Sequence, residues 1–222
     1  KIKKVMQILK EDFAGFDAQL IIMDVVPWML PYYEASGIQF EIEDNRDYMD
    51  YTFTPEQFLA GMDMQDDRYR YNYFKRRFAY ETEEITPFHR EEIREFMERE
   101  WCGEKTCEEC HCGCLLRVID NLVPVFDKIR INGILVRVEG KMAGLCIVSC
   151  RNGLGVYQYK NAVNRIKGIN EYLLRESFER YLQSADTINY TEDMGVENLR
   201  YYKEHMAPAH TLLSKLTLTE RG

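Results

Sequence analysis

Between Ile134 and Tyr159 three short apolar runs follow one another with little but turn residues between them. Ile134 to Val138 meets Ala143 to Ser149 across Glu139-Gly140-Lys141, and Arg151-Asn152-Gly153 leads into Gly155 to Tyr159. Runs this short are too brief for core helices, and tight Gly turns between them predict antiparallel hairpins. A sheet built this way must bury at least one face, so the flanking segments have to supply helices.

They carry that pattern. Upstream, Tyr80 to Ile85 reads as a strand, Thr86-Pro87-Phe88 opens a helix with Ile93, Phe96, Met97 and Trp101 at helical spacing, and Leu115 to Phe126 forms a second apolar stripe that Pro124 ends. Downstream, Lys167-Gly168 precedes a long amphipathic helix with Ile169, Tyr172, Leu173, Phe178 and Leu182. Thr187 to Thr191 is then a strand, Val196 to Met206 a helix and Thr211 to Leu218 a last strand. The order from Tyr80 onward is β-α-α-β-β-β-α-β-α-β. The first part repeats the end of that series: Ile2 to Phe13 is helical, Gln19 to Val25 a strand, Pro27 to Glu34 a short helix, Ile38 to Ile42 a strand, and Asp44 to Arg77 a connector. We therefore expect residues 1–79 to be the C-terminal part of a first domain plus connector, and 80–222 a complete domain of the same kind.

The chain has 222 residues, 45% of them apolar, with 29 Lys+Arg against 37 Asp+Glu for a net charge of −8, so its average surface repels polyanions. The exception is Arg68 to Phe78, with five basic residues, five aromatic ones and no acid. Basic groups interleaved with rings suit phosphates and unstacked bases, and they equally suit a helix whose rings pack inward; weak tRNA binding through 68–77 is the most this segment predicts in so acidic a chain. The longest apolar run, Leu20 to Leu30, is interrupted by Asp24 and Pro27 and is too short for a membrane span. Five of the seven cysteines lie between Cys102 and Cys114, which fits no disulfide scaffold and points to a reducing cytoplasm. Within that cluster Cys107, Cys110, Cys112 and Cys114 have the ligand types of a zinc site but all sit in one loop, so they are read as reduced thiols and not as a metal centre.

Two motifs carry chemistry. Arg165-Ile166-Lys167-Gly168-Ile169-Asn170 spans a strand-to-helix turn, where a Gly permits close backbone approach and a helix N-terminus favours an anion. Asn189, Glu192, Asp193, Gly195, Arg200 and Lys203 follow a strand end, with Arg200 and Lys203 on one helix face where they could clamp a phosphate or carboxylate or form a solvated rim. Asp193 would equally cap the helix. Tyr202, on a helix whose stripe is Val196, Leu199 and Met206, is read as partly inward.

The element order and the first motif resemble the GNAT acyltransferase superfamily, which departs from this chain only at Asn170, where the superfamily has Gly or Ala. The second motif, with Phe40 to Tyr51 and the Lys75-Arg76-Arg77 region, resembles the phosphatidylglycerol lysyltransferase C-terminal-like family, whose members pair two GNAT-like domains. The resemblance implies a mixed α/β, GNAT-like fold and an acyl- or aminoacyltransferase acting on an amine or hydroxyl acceptor, a small molecule or a lipid or peptide amine. It implies as donor a coenzyme A thioester or an aminoacyl-tRNA held at Arg165, Lys167, Gly168, Ile169 and Asn170. It also implies Asn189, Asp193, Arg200 and Lys203 as substrate-binding residues, and Tyr202 and Glu192 as proton-transfer residues. A non-catalytic ligand-binding or regulatory domain with the same fold is the alternative.

Overall fold

The computed structural model describes residues 1–13, 20–102, 115–206 and 209–218. The chain divides into two compact units, residues 53–190 and a unit made of residues 1–52 with 191–222.

In the 53–190 unit, five strands are ordered β7-β6-β5-β4-β3: β3 (Tyr80–Glu84), β4 (Asn132–Val138), β5 (Lys141–Arg151), β6 (Leu154–Ala162) and β7 (Thr187–Asn189). The expected hairpins form. Glu139-Gly140 and Asn152-Gly153 have left-handed φ at both central residues, the turn type whose twist matches the flanking strands. β5 is buried from Met142 through Val148, as befits a central strand covered on both faces. Among the described residues this unit has the α-helices α3 (Pro55–Met62), α4 (Gln65–Arg77), α5 (Arg90–Met97), α6 (Leu115–Leu122) and α7 (Ile169–Ser177), the last continuing as π-helix through Leu182. Thr54 starts α3 with a capping box: its hydroxyl accepts from the Gln57 N–H at 3.3 Å and its N–H donates to Gln57 Oε1 at 2.8 Å. Phe58 then stacks on Tyr157 and Phe178, with ring centroids 5.5 and 5.2 Å away, in a core that includes Ile134, Leu145, Ile147 and Leu173. Each such buried side chain contributes about 1.5–3 kcal/mol relative to exposure.

The other unit orders its strands β1-β8-β2, with β1 (Ile21–Val25) and β2 (Phe40–Phe53) both antiparallel to β8 (Ala209–Leu218). Its helices are α1 (Ile2–Phe13), α2 (Leu30–Glu34) and α8 (Glu197–Met206). Here two expectations need correction. The strand expected at 38–42 runs on to Phe53, so the expected connector does not begin at Asp44; its charged residues disguise a strand whose end alternates Met49, Tyr51 and Phe53 into the core. Of the apolar stripe expected on the last helix, Val196 precedes α8 and is exposed and Leu199 is half-buried, while Lys203 is buried. The units divide at 52/53 and 190/191, whereas the sequence reading divides copies at 79/80; the C-terminal strand β8 belongs with β1 and β2.

Among the described residues no helix is long and apolar enough to cross a membrane. Cys107, Cys110, Cys112 and Cys114 lie outside them, and within them no cluster of three or more His, Cys, Asp or Glu could hold a metal ion.

Candidate functional site

In the 53–190 unit, β6 and β7 run parallel, with Leu154 opposite Thr187, Gly155 opposite Ile188 and Val156 opposite Asn189. There the pairing stops. β7 ends at Asn189 while β6 continues six residues to Ala162, so the two strands fork at the carboxyl end of β7, the position where open α/β sheets place ligands. A bulge sets the side chains beyond the fork: Ile147 pairs with Tyr159 and Val148 with Tyr157, leaving Gln158 unmatched. Lys160 then faces Cys146 across the pair, toward α7.

Lys160 was not singled out from the sequence, where a lone Lys after two tyrosines carries no signal. Its ammonium donates 2.9 Å to Asn170 Oδ1. Burial lowers its pKa, partly offset by the carboxylates of Glu171 and Asp67. Asn170, the departure from the superfamily pattern, thus has an internal partner. Around it Cys146 is fully buried, its thiol pushed up to about 11 by burial, and burial likewise raises Tyr190.

At the turn that opens α7, Gly168 is the helix N-cap and is left-handed, φ +88°. Its surroundings are not those of an open phosphate cradle. A Cβ at Gly168 would overlap the Arg70 carbonyl oxygen and lie 3.0 Å from the Phe74 side chain, so the backbone approaching this glycine is that of α4. Within the first turn of α7 the buried Glu171 supplies an anion of its own, paired with Arg70 at 3.3 Å. Arg165 and Lys167 are exposed; the Lys167 ammonium sits 4.8 Å from the Tyr69 ring centroid and 5.3 Å from that of Tyr73.

In the other unit the second motif gathers around Asp193, whose side chain is wholly buried. The Tyr51 hydroxyl donates to it at 2.6 Å, Arg46 Nη1 at 3.0 Å, Arg200 at 3.1 and 3.2 Å, and the Gly195 N–H at 2.9 Å. Burial by itself would raise this carboxyl, but the bonds from Arg200, Tyr51, Gly195 and Arg46 outweigh it and hold it well below the usual carboxylate range. Arg46 and Asp47 reach the cluster because β2 bulges between Asn45 and Asp50, three residues longer than the facing stretch of β8. Asp47 accepts from Arg200 at 2.6 Å, and Arg46 also reaches Glu204 at 2.5 Å. Buried Lys203 donates 2.6 Å to the Glu192 carbonyl. Thr191 and Met194 adopt left-handed φ of 57° and 51°, strain held at the motif by this bonding. Arg200 and Lys203 do share the inner side of α8, yet each is engaged within the motif; Glu192 and Tyr202 are half-buried beside them. Arg46 and Tyr51 lie in the Phe40 to Tyr51 stretch, where nothing local marks them, because only the bulge brings them to Asp193.

The sequence model for the C-terminal region of phosphatidylglycerol lysyltransferase matches residues 1–214. No curated protein matches the chain by sequence. Among solved structures, a conserved protein of unknown function from Bacteroides thetaiotaomicron superposes with a TM-score of 0.82 at 24% identity, over 99% of this chain and 76% of that one. L-PGS from Bacillus licheniformis gives 0.70 at 15% identity, covering 100% and 73%. A tandem GNAT protein from the clavulanic acid biosynthesis pathway gives 0.55 at 11%, covering 99% and 68%. At these identities the likeness is one of fold, and it is the mixed α/β, GNAT-like fold expected from the order of elements. With its sequence matched almost end to end, the chain belongs to the phosphatidylglycerol lysyltransferase C-terminal family.

Proposed function

We propose that this chain transfers an aminoacyl group from the ester of a tRNA to an amine or hydroxyl acceptor, a lipid or peptide being the acceptor class its family name suggests. The observation that carries the choice of donor is the filling of the Gly168 turn by the Arg70 carbonyl. A coenzyme A pyrophosphate needs that backbone approach for itself, whereas an aminoacyl ester needs only room for its acyl group at the fork beyond Asn189. The acceptor attacks the ester carbonyl, the ribose oxygen leaves, and the protein supplies position and proton transfer. Glu192 and Tyr202 are the proton-transfer residues of this reading, and Asn189, Asp193, Arg200 and Lys203 the motif that shapes the acceptor side. Residues 1–79 are read as the end of a first copy, since α1-β1-α2-β2 repeats the order α7-β7-α8-β8.

The test incubates the protein with radiolabelled aminoacyl-tRNA and either phosphatidylglycerol vesicles or amine-bearing peptides. Label should appear in one acceptor and fall at least tenfold in Glu192→Gln or Tyr202→Phe, while labelled acetyl-coenzyme A should give none. Transfer from the thioester would overturn the choice of donor. The internal engagement of Arg200 and Lys203 favours a second reading, a binding domain without catalysis; absence of transfer from every donor would establish it.

A further inference from the structure

On the stretch of β6 that outruns β7, Lys160 is the charged side chain. Its backbone lies past Val156, where the pairing with β7 ends, and its ammonium reaches Asn170 in the first turn of α7. Lys160 therefore stands between the fork and the Gly168 turn. The residues of β5 level with it, Leu145, Cys146 and Ile147, are fully buried, yet Lys160 and Asn170 are each half-buried, so solvent still reaches the pair. Among the described residues Asn170 Oδ1, at 2.9 Å, is the one hydrogen-bond acceptor of the ammonium, and no carboxylate pairs with it. An ammonium has three hydrogens to donate, which leaves two for a ligand. The ionised groups that share its surroundings are Glu171 on α7, already paired with Arg70 at 3.3 Å, and Asp67 on α4. Cys146 on β5 and Tyr190 after β7 are kept neutral there by burial.

We propose that Lys160 is a catalytic residue whose ammonium donates to the acyl carbonyl oxygen of the donor at the fork, with Asn170 as the residue that positions it. This deepens the aminoacyl reading above and rests on it for the identity of the ester. A phosphate is the poorer fit, because it would bring up to two negative charges to surroundings that already hold Glu171 and Asp67. An ester carbonyl arrives neutral. When the acceptor's lone pair adds to the ester carbon, the carbonyl π pair moves onto the oxygen that Lys160 holds, and one ammonium then faces one oxyanion. The pair returns to re-form the carbonyl, the bond to the ribose oxygen breaks, and that oxygen takes the proton the acceptor gives up. Lys160 keeps its own proton throughout. A donor fixed in place before the charge develops lowers the barrier because nothing has to reorganise around it. Asn170, where the GNAT pattern has Gly or Ala, supplies the amide oxygen that fixes it.

The experiment has two arms. The first measures transfer of label from aminoacyl-tRNA by the parent, Lys160→Met and Asn170→Ala, with melting temperatures to identify any failure to fold. Lys160→Met, which keeps the length of the side chain without its charge, should lower kcat about 100-fold or more and leave KM for the tRNA within about twofold. Burial lowers the pKa of Lys160 and the reaction needs its ammonium, so parent activity should fall with rising pH below the ordinary lysine range. Asn170→Ala removes an acceptor that favours the charged form and should move that fall to lower pH, a shift that loss of packing does not produce. The second arm uses the parent alone and needs no turnover. Peptide mapping after brief treatment with acetic anhydride follows Lys160 with and without a tRNA whose 3′-aminoacyl group is joined by an amide, which cannot be transferred. At saturation this analogue should slow acetylation of Lys160 about tenfold, with exposed Lys141 as the unaffected reference and unacylated tRNA giving no protection. Equal protection by both tRNAs, protection by neither, or a folded Lys160→Met protein with the parent kcat would overturn the proposal. Selective protection in a protein that transfers no label leaves it standing and removes the transferase reading. Transfer that survives Lys160→Met does the reverse.

Discussion

The Tyr51 hydroxyl donates a 2.6 Å hydrogen bond to the Asp193 carboxylate across 142 residues of sequence. Tyr51 is fully buried near the end of β2, and Asp193 opens the approach to α8, so this bond joins the β2–β8 pairing and the Arg46 and Arg200 ion pairs in tying the two chain segments of this unit together. Asp193→Asn removes the charge that Arg46 and Arg200 face. Those partners are about a third exposed, so water screens part of the loss, and destabilisation of about 2–3 kcal/mol is expected in urea unfolding. Tyr51→Phe leaves the ion pairs in place and should cost only about 1 kcal/mol.

Acid should act on the same bond. Asp193 is held ionised well below its ordinary range, so the folded state binds this proton less readily than the unfolded chain. Its contribution is complete above the ordinary carboxylate value near 4 and is lost as pH falls from there through the depressed folded value. Urea midpoints of the parent and Asp193→Asn should therefore differ most at pH 7 and converge toward pH 2. A gap that stayed constant with pH would contradict this assignment.

Gly168 and Gly140 both have left-handed φ, +88° and +74°, but only one is crowded. At Gly140 an added Cβ meets nothing within 4 Å, and Ala there should cost about 1 kcal/mol for its backbone strain alone. At Gly168 it would overlap the Arg70 carbonyl oxygen, which is backbone and cannot swing aside. Gly168→Ala is expected to lower the melting temperature several times more than Gly140→Ala. Equal shifts would mean that α4 does not press on this turn.

Cys146 gives a chemical check on the interior of the 53–190 unit. It is fully buried, and burial pushes its thiol up to about 11, so little thiolate exists at neutral pH and none meets reagent. Peptide mapping after brief maleimide treatment at pH 7.5 should find Cys146 unlabelled and the half-exposed Cys150 labelled, with Cys146 reacting only in denaturant.

The sequence alone determined the element order from Tyr80 onward, because turn residues and apolar periodicity are local properties and the meander at Ile134 to Tyr159 leaves few alternatives. It also placed Gly168 at a strand-to-helix turn and Arg200 and Lys203 on one helix face, since helical spacing follows from backbone geometry. What filled that turn was a tertiary matter: nothing near Gly168 in sequence announces that a carbonyl 98 positions earlier will occupy the space a phosphate would need. The same holds for Asp193. Its bonds from Gly195 and Arg200 are local, whereas its partners Arg46 and Tyr51 arrive through a bulge in a strand whose acidic composition hides it. The two faces of α4 were undecided for a related reason, because a segment that alternates charge and ring has no apolar period of its own. Only packing against α7 and Tyr172 chose which rings went in and which stayed beside Lys167.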